Sequence, residues 1–243
     1  MRRFDAHAHF GPWNNIPIRK WTAADLVALL QTAGIEKAVV SSVHALLADF
    51  VAGNQETQEA IEGHEMLYGY IYVDPYRPAE SIREVEVRAE HPKFIGVKSR
   101  DVYHGLLYHH RGYREIFAAI RDRRLPALLH AYSVASMQAA MDLAVGYDAP
   151  LILAHLAGPD WRECEVFAGR EIPSNVYVDP ITSMAEPGRY ELAVELFGPD
   201  RVVFGTDCSL FHPGVAIGAI ESSELSEQVK RKIYWDNAAR IFS

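Results

Sequence analysis

Short runs of apolar and β-branched residues alternate along the whole chain with longer stretches in which apolar residues recur every three or four positions. That alternation predicts parallel strands joined by crossover helices. Strands are predicted at Arg3 to Ala8, Lys37 to Val43, Leu67 to Val73, Phe94 to Lys98, Ala127 to Ala131, Leu151 to Leu156, Val176 to Asp179 and Val202 to Asp207. Helices are predicted at Thr22 to Ala33, Asn54 to His64, Ala79 to Glu90, Tyr113 to Arg124, Val134 to Tyr147, Asp160 to Ala168, Arg189 to Phe197 and Glu224 to Phe242. In the first of these, Leu26, Leu29 and Leu30 form one buried stripe, and Gly34 supplies the stop. His91-Pro92 and Gly198-Pro199 end two others. Eight strands, each followed by a helix, predict an α/β fold of the (β/α)8 TIM-barrel type, with a doubly wound open sheet as the alternative. No linker, repeat or low-complexity stretch divides residues 1–243, so one domain is expected.

Composition narrows the partners. The chain has 243 residues, 49% hydrophobic and 23% charged, enough to bury a sizeable core. Its formal net charge is -8, and its longest basic tract is Arg121 to Arg124, which argues against nucleic acid as a partner. Cys164 and Cys208 are the only cysteines, too few for a disulfide framework and suited to a reducing compartment. Arg2-Arg3 is followed by no apolar leader core, and no apolar run approaches the roughly 20 residues of a membrane span. A cytoplasmic protein without a membrane partner is the expectation; homo-oligomerisation is left open.

Chemistry concentrates at the C-terminal ends of the predicted strands, where barrels of this kind place their reacting groups. The first strand continues into Asp5-Ala6-His7-Ala8-His9, and alternation sends His7 and His9 to the same side. The fifth strand ends at His130, the sixth at His155 and the eighth at Asp207, each after an apolar run. A lone histidine at a strand end is more often a hydrogen-bonded structural residue. The joint placement is what points to a metal centre, since imidazoles with a carboxylate suit zinc or a neighbouring first-row ion and leave a position for water. The loop over 99–112 carries Arg100, Asp101 and the pair His109-His110, of which Arg100 is suited to gripping an anion. Tyr132, Asp179 and Thr182 follow other strands as further candidates, whereas His44 and Asp74 are read as helix caps and Cys208 as a packed thiol.

Taken together, Asp5-Ala6-His7-Ala8-His9-Phe10, Leu129-His130-Ala131, Leu153-Ala154-His155-Leu156-Ala157-Gly158, Phe204-Gly205-Thr206-Asp207 and the closing Asn237-Ala238-Ala239-Arg240-Ile241-Phe242 resemble the amidohydrolase superfamily. The resemblance is to its amidohydrolase-related (amidohydrolase 2) branch of metal-dependent barrels, which includes decarboxylases and lactonases. It implies that His7, His9, His130 and Asp207 hold one divalent metal ion, zinc first among the candidates. It implies that Asp207 and His155 are the catalytic proton-transfer groups. Lys98 ends the fourth strand, where some members carry a carboxylated lysine that bridges two metals. An unmodified Lys98, binding substrate with Arg100 and Tyr132, is the expectation here, and a second ion follows only if Lys98 is carboxylated.

Three functions are weighed on this basis. The first is a metal-dependent hydrolase acting on a small-molecule amide, lactone or related bond, with the substrate possibly anionic in view of Lys98 and Arg100. The second is a metal-dependent decarboxylase of an unsaturated or aromatic acid. The third, disfavoured by the full set of ligand types, is a metabolite-binding barrel without catalysis.

Overall fold

Seven of the eight predicted strands form, and they lie side by side in chain order in one parallel sheet. They are β1 (Phe4–Phe10), β2 (Lys37–Ser42), β3 (Leu67–Tyr72), β4 (Phe94–Arg100), β5 (Ala127–His130), β6 (Leu151–Ala154) and β7 (Val176–Asp179). The computed structural model describes residues 1–13, 21–183 and 186–243, and leaves the side chain of Tyr103 outside that description. The helices are α1 (Ala23–Thr32), α2 (Val43–Leu47), α3 (Phe50–Gly63), α4 (Pro78–Arg88), α5 (Asp101–His104), α6 (Arg111–Ile120), α7 (Val134–Ala144), α8 (Arg189–Phe197), α9 (Gly214–Glu221), α10 (Glu227–Arg231) and α11 (Asn237–Ile241). A π turn, Lys232–Asp236, joins the last two. No helix among the described residues is long and apolar enough to cross a membrane.

Local chemistry explains where these elements begin and where the expectations fail. Thr22 starts α1 through a capping box, its hydroxyl accepting from Asp25 N–H while the Asp25 carboxylate accepts from Thr22 N–H. Asp49 caps α3 earlier than predicted, accepting from the N–H groups of Val51 and Ala52. The helix expected at Asp160 to Ala168 is instead a run of 3-10 turns, Gly158–Phe167, interrupted at Asp160. The short α2 and α5 and the glycine-bearing α9 lack a long amphipathic repeat and were not predicted.

The eighth strand is the main correction. Residues 202–208 run between β7 and β1 and bond to both, Val203 N–H to Val178 O at 2.9 Å and Ala6 N–H to Phe204 O at 2.9 Å, but they form only isolated bridges, Val178 with Val202 and Ala8 with Cys208, and no continuous ladder. The reason is a diversion of backbone donors: Thr206 N–H is shared between His7 O at 3.2 Å and the Asp5 carboxylate at 3.0 Å. Asp207 then takes a left-handed conformation with φ +48°, which no ladder accommodates.

The two faces of the sheet bury different clusters. Phe4, Ala6, Val39, Tyr70, Leu128 and Ile152 belong to a small inner core. Ala8, Phe10, Ala38, Val40, Val97 and Leu129 join the larger core together with α1, α6 and α7 residues such as Leu26, Ile116 and Met137. Register slips in β1 between Asp5 and Ala8. The slip changes the phase of alternation, so Phe4 and Ala6 share the inner core below while His7 and His9 meet at the inner mouth above.

Candidate metal centre

His7 and His9 stand two residues apart at the end of β1, as alternation predicted, with their Nε2 atoms 3.2 Å apart. Asp207 Oδ1 is 3.3 Å from each of those atoms. His155 joins them: one ligand atom each from His7, His155 and Asp207 lies within 4.8 Å of the others. His130 is reached through His155, their ring centroids 4.6 Å apart. All five side chains are buried, none more than 6% exposed.

Proton accounting shows which way the imidazoles face. His155 Nδ1 donates to the Ile181 carbonyl at 2.8 Å, and His7 Nδ1 pairs with Asp179 Oδ2 at 2.9 Å. His130 Nδ1 pairs with Asp101 Oδ1 at 3.2 Å, and Asp101 is itself held by the Ser136 hydroxyl. His9 Nδ1 faces Ser41, with the hydroxyl at 3.0 Å and the carbonyl at 3.3 Å. His155 therefore offers its Nε2 lone pair, and each of the other three imidazoles has an outer partner at Nδ1 and its Nε2 free to face the centre, the arrangement of metal-binding histidines.

Burial governs charge here. It lowers the His7 and His130 imidazoles well below their ordinary value and brings His9 to about 4 and His155 to about 3. It also raises the Asp179 carboxyl far above the usual carboxylate range and Asp5 to about 7. Burial would raise Asp207 as well, but its contact with His9 and its closeness to His155 and Lys98 outweigh that and hold it as an anion. Buried neutral imidazoles around one anion form a donor set that a cation completes.

The substrate-binding candidates ring the same mouth. Lys98 Nζ is 3.0 Å from His9 Nε2, and burial lowers its ammonium well below the ordinary value. Tyr132 stacks on His130 with centroids 5.3 Å apart and planes at 17°, and meets His155 edge-on at 5.4 Å. The Arg100 guanidinium lies 5.9 Å from the Trp13 ring, which in turn sits edge-on to His9. Asp179 and Asp101 have outer roles as partners of His7 and His130. Ser41, the Ile181 carbonyl and Trp13 belong to the site without having been predicted; a hydroxyl, a main-chain oxygen and an apolar ring carry no spacing signal. Other candidates stay structural: His44 pairs with Glu56 at 2.9 Å, His110 caps α6 by accepting from Gly112 N–H, and Cys208 is fully buried.

A parallel α/β sheet that gathers imidazoles and a carboxylate at its C-terminal edge defines the class as a metal-site enzyme fold. The chain belongs to the amidohydrolase family: the model for this family, described as amidohydrolase, matches residues 4–243. Comparison with curated proteins finds no match. Among solved structures the chain is similar to 2,6-dihydroxybenzoate decarboxylase from Rhizobium, with TM-score 0.73, 15% identity, and 99% of this chain and 98% of that chain covered. It is similar to 5-carboxyvanillate decarboxylase from Sphingomonas paucimobilis, with TM-score 0.77, 16% identity and coverage of 99% and 98%. A dihydroxybenzoic acid decarboxylase from Polaromonas, solved with manganese and 2-nitroresorcinol, gives TM-score 0.75, 17% identity and coverage of 99% and 96%. At such identities the likeness is one of fold. The protein is an amidohydrolase-family enzyme.

Proposed function

We propose that this enzyme is a divalent-metal-dependent hydrolase of a small-molecule amide, lactone or related C–N or C–O bond, built as one (β/α)8 domain over residues 1–243. One observation carries the reading. His7 Nε2, His9 Nε2 and Asp207 Oδ1 approach one another within 3.2 to 3.3 Å, while the Nδ1 atoms of both imidazoles are engaged by Asp179 and Ser41 on the outer side. Three electron-pair acceptors at that distance repel unless a cation lies among them, and this donor set suits zinc or a neighbouring first-row ion.

His7, His9, His130 and Asp207 would hold the ion, and His155 stands as near to His7 and Asp207 as a ligand does. When bound, a divalent ion supplies Lewis acidity and lowers the pKa of a water from about 15.7 to about 7. Asp207, held as the carboxylate, accepts the proton that the attacking water gives up. His155 Nε2, fixed as a lone pair by the bond from Nδ1–H to Ile181, takes or returns the second proton. Arg100 and Lys98 orient an anionic group of the substrate, and Tyr132 covers the imidazoles on the open side. Lys98 and an ion compete for the same His9 lone pair. Because burial favours its neutral amine, the form that adds carbon dioxide, a carboxylated Lys98 with a second ion is an outcome that metal counting would reveal.

Decarboxylation of an aromatic or unsaturated acid is the second reading. The Trp13 ring beside Arg100 and the Tyr132 ring stacked on His130 favour it, as does the fold shared with decarboxylases of hydroxylated benzoates, one of them bearing manganese. Metal analysis of the purified protein, followed by a substrate screen that scores carbon dioxide beside hydrolysis products, tests both. Reversible loss of turnover on chelation supports the metal centre; full turnover in metal-stripped protein overturns it. Carbon dioxide release without hydrolysis replaces the first reading by the second.

A further inference from the structure

Four consecutive residues at the end of β6 are left-handed: His155 at φ +78°, Leu156 at +42°, Ala157 at +58° and Gly158 at +61°. Three carry side chains, which rarely adopt such a conformation, so surrounding contacts must impose it. The contacts converge on Arg189, the first residue of α8, only 3% exposed. Its Nη2 donates to the His155 carbonyl, to the Gly158 carbonyl at 2.8 Å and to the Leu156 carbonyl at 3.4 Å. Its Nε donates to the Pro180 carbonyl at 2.7 Å, one residue before the Ile181 carbonyl that receives the His155 Nδ1 proton. Glu186 Oε2, 3.4 Å from Nη1, supplies the counter-charge and also accepts from Trp161 Nε1 at 2.7 Å.

We infer that Arg189 is a positioning residue for His155. One planar guanidinium grips the main chain of the turn that carries the imidazole and of the loop that accepts its proton, and thereby sets the direction of His155 Nε2 toward His7 and Asp207. A planar fork can bridge several carbonyls in fixed geometry; a lysine ammonium in the same place cannot. The inference rests on the metal-centre reading only where metal affinity is the readout.

The test uses the whole chain, with Arg189→Lys and Glu186→Gln as variants and Arg201→Lys as control. Arg201 also binds carbonyls, those of Phe197 at 2.6 Å and Pro173 at 3.1 Å, but not those of the 155–158 turn. Imidazole 15N NMR, with the His155 signal assigned by its loss in His155→Gln, reads the tautomer, and titration with Co2+ alone reads affinity. The expected result is a single Nδ1–H tautomer in the parent chain and a mixture in Arg189→Lys. Co2+ affinity falls about 10-fold in that variant, as is usual when an outer partner of a ligand is lost. Glu186→Gln, which keeps the arginine, shifts both readouts the same way by less, and still decides the matter should Arg189→Lys not fold. Arg201→Lys lowers the unfolding midpoint and moves neither. An unchanged His155 tautomer in the folded variants overturns the inference. Failure of Co2+ to bind the parent chain counts against the metal centre instead, and leaves the tautomer to decide on Arg189.

Discussion

Asp207 is where the site's charge and its chemistry meet. Its carboxylate is the anion among neutral imidazoles, so Asp207→Asn keeps the shape and a ligand oxygen but removes the proton acceptor. Turnover is expected to fall by about 10² to 10⁴, measured as kcat on a substrate from the screen, with the circular dichroism unchanged. The histidines make a separate claim about pH. Folding lowers His9 to about 4 and His155 to about 3 from an ordinary 6.5, so each contributes stability that is full above 6.5 and lost as pH falls toward its folded value. Asp5 acts in the opposite sense, raised to about 7 from 3.8, its contribution full below 3.8 and lost as pH rises through 7. Urea midpoints of metal-free protein between pH 7 and pH 4 should fall with pH in the parent chain, and fall less steeply in His9→Gln. His130, His155 and Asp207 were legible as candidates because each follows an apolar run, and His7 and His9 because alternation along one strand sends both to the same side. Ser41 was not, because its hydroxyl and carbonyl meet His9 Nδ1 only through the pairing of β1 with β2, and a serine inside a strand carries no spacing signal.

Among the elements, the turn after β6 is the most demanding. A Cβ on Gly158 would lie 2.6 Å from the Tyr132 ring, at a φ of +61° that side chains rarely adopt. Gly158→Ala is expected to destabilise the fold by about 1–3 kcal/mol and to push Tyr132 off His130, read as a lower denaturation midpoint and a changed Tyr132 ring environment by NMR. Strands β1 to β7 were predictable because each is a short apolar run closed by turn residues. The segment over 202–208 has the same apolar pattern and still forms no ladder, since the Asp5 carboxylate takes a share of the Thr206 N–H. That competition comes from a residue about two hundred positions away, and no local window contains it. Helix α9 escaped for a local reason: Gly214-Val-Ala-Ile-Gly-Ala-Ile-Glu221 has almost no polar face against which to read a period.

At the level of the whole molecule, an ion held as proposed by residues of both β1 and the segment after β7 would tie the first residues of the chain to its last third. Binding to the folded form alone stabilises by mass action, about 2.7 kcal/mol at a free metal concentration 100 times the dissociation constant. Thermal unfolding of the chelated protein should therefore occur at lower temperature than that of the metal-replete protein, the gap widening with added Zn2+ or Mn2+ and closing in a His7→Ala/His9→Ala double variant. Calorimetry with and without chelator measures this. By itself the sequence determined the alternation of strands and helices, the side of β1 on which His7 and His9 stand and the strand ends at which ligands occur, because periodicity and polarity act within a few residues. Only the tertiary structure decided that those ends meet within ligand distance, that each imidazole turns its Nδ1 outward to a partner, and that Arg189 holds the turn beneath His155. Those outcomes depend on distances between groups brought together by the curl of the sheet, and side-chain identities along a chain do not encode such distances locally.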